Sequence, residues 1–219
     1  FSETKYINEK KFKEIKFDNS YSKNSRAYKY LKPILEISFT EEQLIKAQKI
    51  LKDWDLSTNF DNRSAALGVC LISPEWLAEQ GQRLPPPVET VCRDCVDHIY
   101  KIYGRLDPLW SERNFLVRGD KKVPVQGGPD TLRAIYGRQQ QEGFLKAQGG
   151  DGLYIYVEWD KDGRLKSESI HQYGSATQDS NSPHYDDQMN LYSSEKFKET
   201  FFKTFNQSNN MESTITIPQ

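Results

Sequence analysis

Two hydrophobic periods divide the chain. Up to about residue 112, apolar positions recur at three- and four-residue steps; from Phe115 onward they alternate. Thr40-Glu41-Glu42-Gln43 has the form of a capping box. The Leu44, Ala47, Leu51 and Trp54 that follow give one apolar helical face. Ser64 to Ile72 is more continuously apolar and predicts a second helix, after which Ser73-Pro74-Glu75 reads as a fresh cap with Pro at the first helical position. Three prolines between Gly81 and Pro87 make a rigid connector. Val88, Val91, Cys92, Cys95, Val96, Ile99, Ile102 and Tyr103 form the clearest amphipathic stripe, stopped by Gly104. Asn24-Ser25-Arg26-Ala27-Tyr28 opens a further helical pattern. The charged and aromatic stretch from Phe1 to Asn24 predicts a solvated loop whose rings pin it to a core.

The period of two begins with Phe115-Leu116-Val117, Val123-Pro124-Val125 and Thr131 to Tyr136, with Gln139-Gln140-Gln141-Glu142 as a loop tip. Leu153, Ile155, Val157 and Trp159 then alternate with Tyr154, Tyr156 and Glu158, so one face of that strand is apolar and the other aromatic-polar. Asp160-Lys161-Asp162-Gly163 is a turn, and Arg164 to Tyr173 returns along the first strand. A loop without large apolar residues, 174–183, delivers His184 to Gln188 into a helix start with carboxylates in its first turn. Lys196-Phe197 and Phe201-Phe202 predict a docking segment, and Thr214 to Ile217 an edge strand. Helices first and strands second predict an α+β chain. Residues 1–112 form a mainly helical segment and 113–219 a strand-rich one, interdependent rather than autonomous.

Composition changes the picture only slightly. The 219 residues are 36% hydrophobic and their mean hydropathy is −0.79, polar for a self-sufficient globule. Thirty basic and 31 acidic residues give a net charge of −1, which favours neither nucleic acid nor an anionic membrane as partner. No apolar run approaches the roughly 18 residues of a membrane-spanning helix. The first residue is Phe1 rather than Met, and the expectation is a piece of a longer precursor.

Candidate chemistry is sparse. Ser182, His184 and Asp187 could suggest a hydrolase triad, but triads are assembled by folding, and a polar network pinning the hairpin to the next helix is the reading preferred here. Cys92-Arg93-Asp94-Cys95 has the spacing of a redox pair or half a zinc site. No second CxxC or His pair stands at ligand spacing, and both cysteines fall on the apolar stripe. Buried thiols are therefore expected, Cys70 in its apolar run included, with a disulfide as the alternative. Lys10-Lys11-Phe12-Lys13 could contact polyanions but reads as a solvated face. Tyr154, Tyr156 and Trp159 could serve a binding module as an aromatic ligand platform. No metal-ligand set is seen.

Gly174-Ser175 and Ser182-Pro183-His184-Tyr185-Asp186-Asp187-Gln188 resemble the C-terminal signature of the penicillin acylase family of N-terminal-nucleophile hydrolases. Gly127-Gly128-Pro129-Asp130-Thr131-Leu132 looks like the family's glycine-rich segment, and Gly104 to Trp110 and Leu51 to Asp55 fit the same order. The resemblance covers only the later part of the family's large β chain. It implies strands that join a four-layer αββα sandwich completed by upstream chain. It also implies an amidase whose N-terminal Ser attacks an N-acyl amide, with its own α-amino group as base. Arg26 sits where the family has an Arg near its active site, shortly after the catalytic Asn; Ser182, His184, Tyr185, Asp187 and Gln188 form a structural motif. Phe1 is no nucleophile, so the catalytic Ser, its His and the oxyanion Asn are expected upstream. The implied substrates are an acyl-homoserine lactone, a lipopeptide side chain or a penicillin side chain. The implied partners are the α chain and the first part of the β chain, the implied compartment is periplasmic or secreted, and autoproteolytic processing is expected. Export gives the disulfide alternative some support. No cofactor is assigned to this chain, with calcium a family feature elsewhere. A catalytically inactive homologue is the alternative within the family.

Overall fold

The computed structural model describes residues 7–200. The Phe201-Phe202 part of the expected docking segment and the Thr214 to Ile217 strand lie outside the described residues. The chain is α+β, with helices in the first half and two sheets in the second.

The first departure is α1, Glu9–Lys16, where a loop was expected. Asn8 caps it by accepting from the Lys11 N–H at 2.8 Å, and a Glu at the start with Lys at the end suits the helix dipole. The aromatics do pin it: Phe12 packs on Tyr156 and Phe17 on Tyr154. α2, Arg26–Glu36, is capped by Ser25, whose Oγ accepts from the Tyr28 N–H at 3.2 Å.

α3, Glu42–Lys52, buries Leu44, Ala47 and Leu51 as its period predicts, but the capping box does not form. Glu41 is the cap residue, and the Thr40 hydroxyl donates to the Glu41 carboxylate at 3.1 Å. That carboxylate is held in turn by Arg93, so Thr40 is drawn away from the helix end. α4, Ala65–Gln80, runs straight through the expected break at Ser73-Pro74. The proline removes one bond, to the Cys70 carbonyl, and the Ser73 hydroxyl turns back to donate to Val69 O at 2.6 Å. Packing on both sides of Pro74 outweighs that loss, with Ala65 to Val69 buried before it and Ala78 after it. At Gly68 a side-chain carbon would fall within the Trp54 ring, so α4 approaches Trp54 more closely than any other residue would permit. α5, Val88–Tyr103, buries its predicted stripe and ends at Gly104 with φ +66. Helices α2 to α5 enclose one core, with α6, Trp110–Arg113, leading out of it.

The cysteine expectation needs correcting. Cys70 of α4 and Cys95 of α5 form a disulfide with Cα atoms 5.9 Å apart, while Cys92 is a buried thiol. The CxxC cysteines do not pair with each other, because Cys95 faces α4 where Cys70 emerges. Burial pushes the Cys92 thiol up to about 11 and leaves it un-ionised at neutral pH.

The first sheet contains β1, Asn114–Arg118, β2, Lys121–Pro124, β3, Ile135–Gln139, and β4, Leu145–Gly150, in the order β2-β1-β4-β3. It is mixed, since β1 and β4 run parallel. Thr131 to Ala134 is not strand as expected. Thr131 Oγ1 donates to the carbonyls of Gly128 and Arg133, which folds that segment into a turn. Gln139 belongs to β3, and only Gln140 to Gly143 make the tip. The second sheet contains β5, Leu153–Trp159, β6, Leu165–His171, and β7, Lys198–Glu199. Asp160 Oδ1 accepts from the N–H groups of Asp162 and Arg164 at 2.8 Å and closes the expected turn.

The aromatic-polar face of β5 is the covered one. Tyr154 joins a second core with Leu116, Ile135, Ile170, Met189 and Tyr192. Leu153, Ile155 and Trp159 are 56%, 58% and 66% exposed, forming an open apolar face together with Leu165. The supposed platform is therefore corrected: alternation puts Trp159 on the face opposite Tyr154 and Tyr156, and Tyr154 is buried. The helix after the polar loop also begins later than expected. α7 is Met189–Ser193, and Asp186 and Asp187 precede it in turns.

Candidate functional site

Ser25, as cap, fixes Arg26 at the first position of α2. A cation there opposes the helix dipole, and three carboxylates offset it. Asp130 Oδ2 accepts from Arg26 Nε and Nη2 at 2.7 and 2.6 Å, Glu79 pairs with Nη1, and Glu75 stands 3.6 Å from Nε. Burial raises the Glu75 carboxyl above its ordinary value, with Arg26 opposing and Asp130 adding to the shift. Asp130 adopts φ +64, a left-handed conformation that Asp tolerates better than most residues. A side chain at Gly128 would meet the Tyr21 hydroxyl at 2.6 Å. The glycine-rich segment is thus pressed against the helical half, and Arg26 clamps its end.

Arg133, three residues on, was missed by sequence reasoning, which put it in a strand with nothing to mark it. It is fully buried. Its guanidinium donates to Tyr154 Oη at 3.0 Å and Tyr192 O at 2.7 Å, lies 4.2 Å from the Tyr192 ring centre, and faces Glu195 at 3.8 Å. Tyr154 donates to Asp151 Oδ2 at 2.6 Å. Burial pushes both tyrosines above their ordinary range, Tyr192 to about 12.

Ser182, His184, Asp187 and Gln188 come together at a second place, the corner between β6 and α7. His184 Nδ1 lies 3.3 Å from Asp187 Oδ2, and Ser182 Oγ accepts from the His184 backbone N–H at 3.2 Å. Gln188 is buried; its N–H donates to Tyr173 O at 2.8 Å and its Oε1 accepts from the His171 N–H at 3.0 Å. Ala176 N–H donates to His184 O at 3.1 Å, and Lys121 Nζ binds Asp186. Tyr185 lies under the Arg118 guanidinium, 4.5 Å from its ring centre. The corner stitches strand end, loop and helix together. Arg26 belongs to the other cluster, with Asp130.

A third feature is a cavity of about 730 Å³ between α4 and the β3–β4 hairpin. Trp76 and Tyr136 stack at 4.5 Å along one wall, with Leu77, Ile135 and Leu145 near them, and Pro129 brings it beside the Arg26 clamp. Arg113, Asn114, His98, Arg138 and Gln139 are among its polar lining. Among the described residues, no group of acidic, His and Cys side chains is arranged to hold a metal ion.

The family model described as penicillin amidase matches residues 2–208, and the chain belongs to that family. Among solved structures, it is similar to a thermostable penicillin G acylase from Alcaligenes faecalis, with 14% identity and a TM-score of 0.41. The match covers 91% of this chain and 48% of that one, so the chain spans about half the length of that structure. No curated protein matches it.

Proposed function

We propose that the chain is the later part of an N-terminal-nucleophile amidase that removes an acyl group from an N-acyl amide. The observation that carries this reading is the family match over residues 2–208. In the proposed reaction a Ser at the start of an upstream segment attacks the amide carbon and passes its proton to its own α-amine. Backbone N–H groups and an upstream Asn hold the oxyanion. Collapse expels the amine, which takes the proton, and water then hydrolyses the acyl-enzyme. Arg26 would support that site by fixing the Asn or neighbouring backbone, as a planar guanidinium can and an ammonium cannot. Ser182, His184, Tyr185, Asp187 and Gln188 would hold the corner without moving a proton.

In this reading residues 113–219 supply strands of an αββα core, and residues 1–112 pack beside it. Other segments of the same exported precursor would cover the apolar face of Leu153, Ile155, Trp159 and Leu165. Among the described residues, no helix is long and apolar enough to cross a membrane. Acyl-homoserine lactones, lipopeptides and penicillins are the substrate candidates. The test is to assay the complete protein against N-acyl amides of graded chain length, alongside residues 1–219 expressed alone. The complete protein should release amine, and Arg26→Lys should lower turnover or maturation more than melting temperature. A soluble, cooperatively melting 1–219 that cleaves the amide unaided would refute the fragment reading.

A further inference from the structure

The cavity between α4 and the β3–β4 hairpin has an unbalanced charge. Arg113 and Arg138 line it, with the His98 imidazole among the polar groups, whereas no Asp or Glu among the described residues does. Arg113 is only 3% exposed and rests on neutral oxygens: Nη1 donates to Gly143 O at 3.2 Å and Nη2 to Gln139 Oε1 at 3.1 Å. Its Nε is buried and makes no hydrogen bond among the described residues, nor does Oδ1 of the next residue, Asn114. A guanidinium taken from water without a counter-ion costs several kcal/mol in general, a penalty that an entering anion relieves. Burial correspondingly lowers the proton affinity of this guanidinium, with Tyr103 opposing.

The neutral oxygen that meets Arg113 is also shared. Gln139 Oε1 lies 2.9 Å from His98 Nε2, so one amide oxygen stands between an imidazole and a guanidinium. Gln139 is exposed at the end of β3, and an anion that displaces its Oε1 also releases the bonds its Nε2 donates to Gln140 O at 3.0 Å and Phe144 O at 3.3 Å. Around this node the lining is apolar and flat: the Trp76–Tyr136 stack, Leu77 and Ile135. A volume of about 730 Å³ falls within the range of small-molecule sites, about 300–1,000 Å³.

We propose that this cavity binds a small organic acid with a planar apolar body. Its carboxylate takes the place of Gln139 Oε1 between Arg113 Nη2 and His98 Nε2, and its body lies along Trp76 and Tyr136. Charge selects the class. An amine meets two arginines, and a neutral apolar molecule leaves Arg113 uncompensated; only an acid answers both the wall and the node. The site uses none of the residues assigned to the hydrolysis proposed above, although Pro129 brings it beside the Arg26 clamp.

The test uses the complete protein, titrated calorimetrically with 2-naphthylacetate and with 2-(2-naphthyl)ethanol, a neutral relative with no amide to cleave. The acid should bind at least about tenfold more tightly than the alcohol, the margin expected of a charge-assisted pair. Trp76→Ala should weaken the acid by at least about fivefold through loss of the aromatic wall. Gln139→Glu, a surface substitution that places a fixed carboxylate in the node, should abolish acid binding, whereas Gln139→Ala should retain it. Equal binding of acid and alcohol, no binding of the acid, or unchanged acid binding in Gln139→Glu overturns the proposal. So does a structure of the complete protein with an Asp or Glu of another segment seated on Arg113. Because 2-naphthylacetate has no amide bond, its binding and the turnover of N-acyl amides can fail separately. An acid held elsewhere in the protein would ignore Gln139→Glu.

Discussion

The link between Cys70 and Cys95 can be tested first as a pairing and then as a free energy. Trypsin cuts after Arg63, Arg83, Arg93 and Lys101, which places Cys70, Cys92 and Cys95 on three different peptides, 64–83, 84–93 and 94–101. The structure requires the first and third to migrate as one species until reduced, with the second alkylated as a free thiol. A CxxC bond would instead join the second and third. The energetic part follows from the chain enclosed. A sequence separation of 25 corresponds to about 3.5 kcal/mol of lost loop entropy in the unfolded state at room temperature. Reduction should therefore ease the opening of the α4–α5 pair. At about 1.4 kcal/mol per decade, buried amides of Leu67, Leu71, Val96 and Ile99 should exchange up to about 300-fold faster in reductant. Amides of β5 and β6, in the other core, provide the control. Linked peptides of the wrong pair would refute the geometry. The right pair with exchange altered by less than about threefold would refute the entropy argument and leave the bond as a bystander of packing.

Arg133→Met should cost about 3–5 kcal/mol in thermal unfolding of the complete protein, because Glu195 and two tyrosine partners lose a buried cation; a cost under about 1 kcal/mol would contradict its place in the core. His184→Ala should cost about 1 kcal/mol of stability or less, because the ring is 38% exposed, while turnover falls far less than a thousandfold. The reverse, unchanged melting with turnover lost, would restore the triad. Glu9 is held at about 2 by hydrogen bonds from Lys13 and Lys166. Its folded value lies below the ordinary 4.5, so its contribution is complete above about pH 4.5 and lost as the pH falls toward 2. Exchange protection of α1 should fall over that window before that of α5 does, and a pH-independent α1 would show that the Lys13–Glu9–Lys166 chain holds nothing.

How far the sequence could be read depends on how local each signal was. The stripe from Val88 to Tyr103 and its Gly104 stop needed no tertiary information, and neither did the Asp160 turn joining β5 to β6. Alternation along β5 correctly separated two faces but could not say which one this chain covers. That choice is made by Phe12 and Phe17, about 140 residues away. The same limit explains the cysteines: adjacency in sequence drew attention to Cys92 and Cys95, while helix packing selects Cys70. Pro74 misled because a proline costs a helix only one bond when both flanks are buried. Of the site residues, Arg26 was reached through family resemblance. Arg113 and Arg133 were not reached at all, because a buried arginine has no sequence signature separate from a surface one.

The contact at Gly68 acts at a distance. Trp76 lies eight residues further along the same helix, about 80° around its axis from Gly68 after whole turns are removed. The helix is therefore keyed like a shaft: the missing methyl at one point of its circumference sets where the aromatic wall points at another. A larger residue at 68 must push Trp54 aside or turn α4, and turning it carries Trp76 off the Tyr136 ring. Such a change would look, in a sequence, like a fault in the helical core. In the molecule a turn of α4 would also change the shape of a cavity that neither Gly68 nor Trp54 lines.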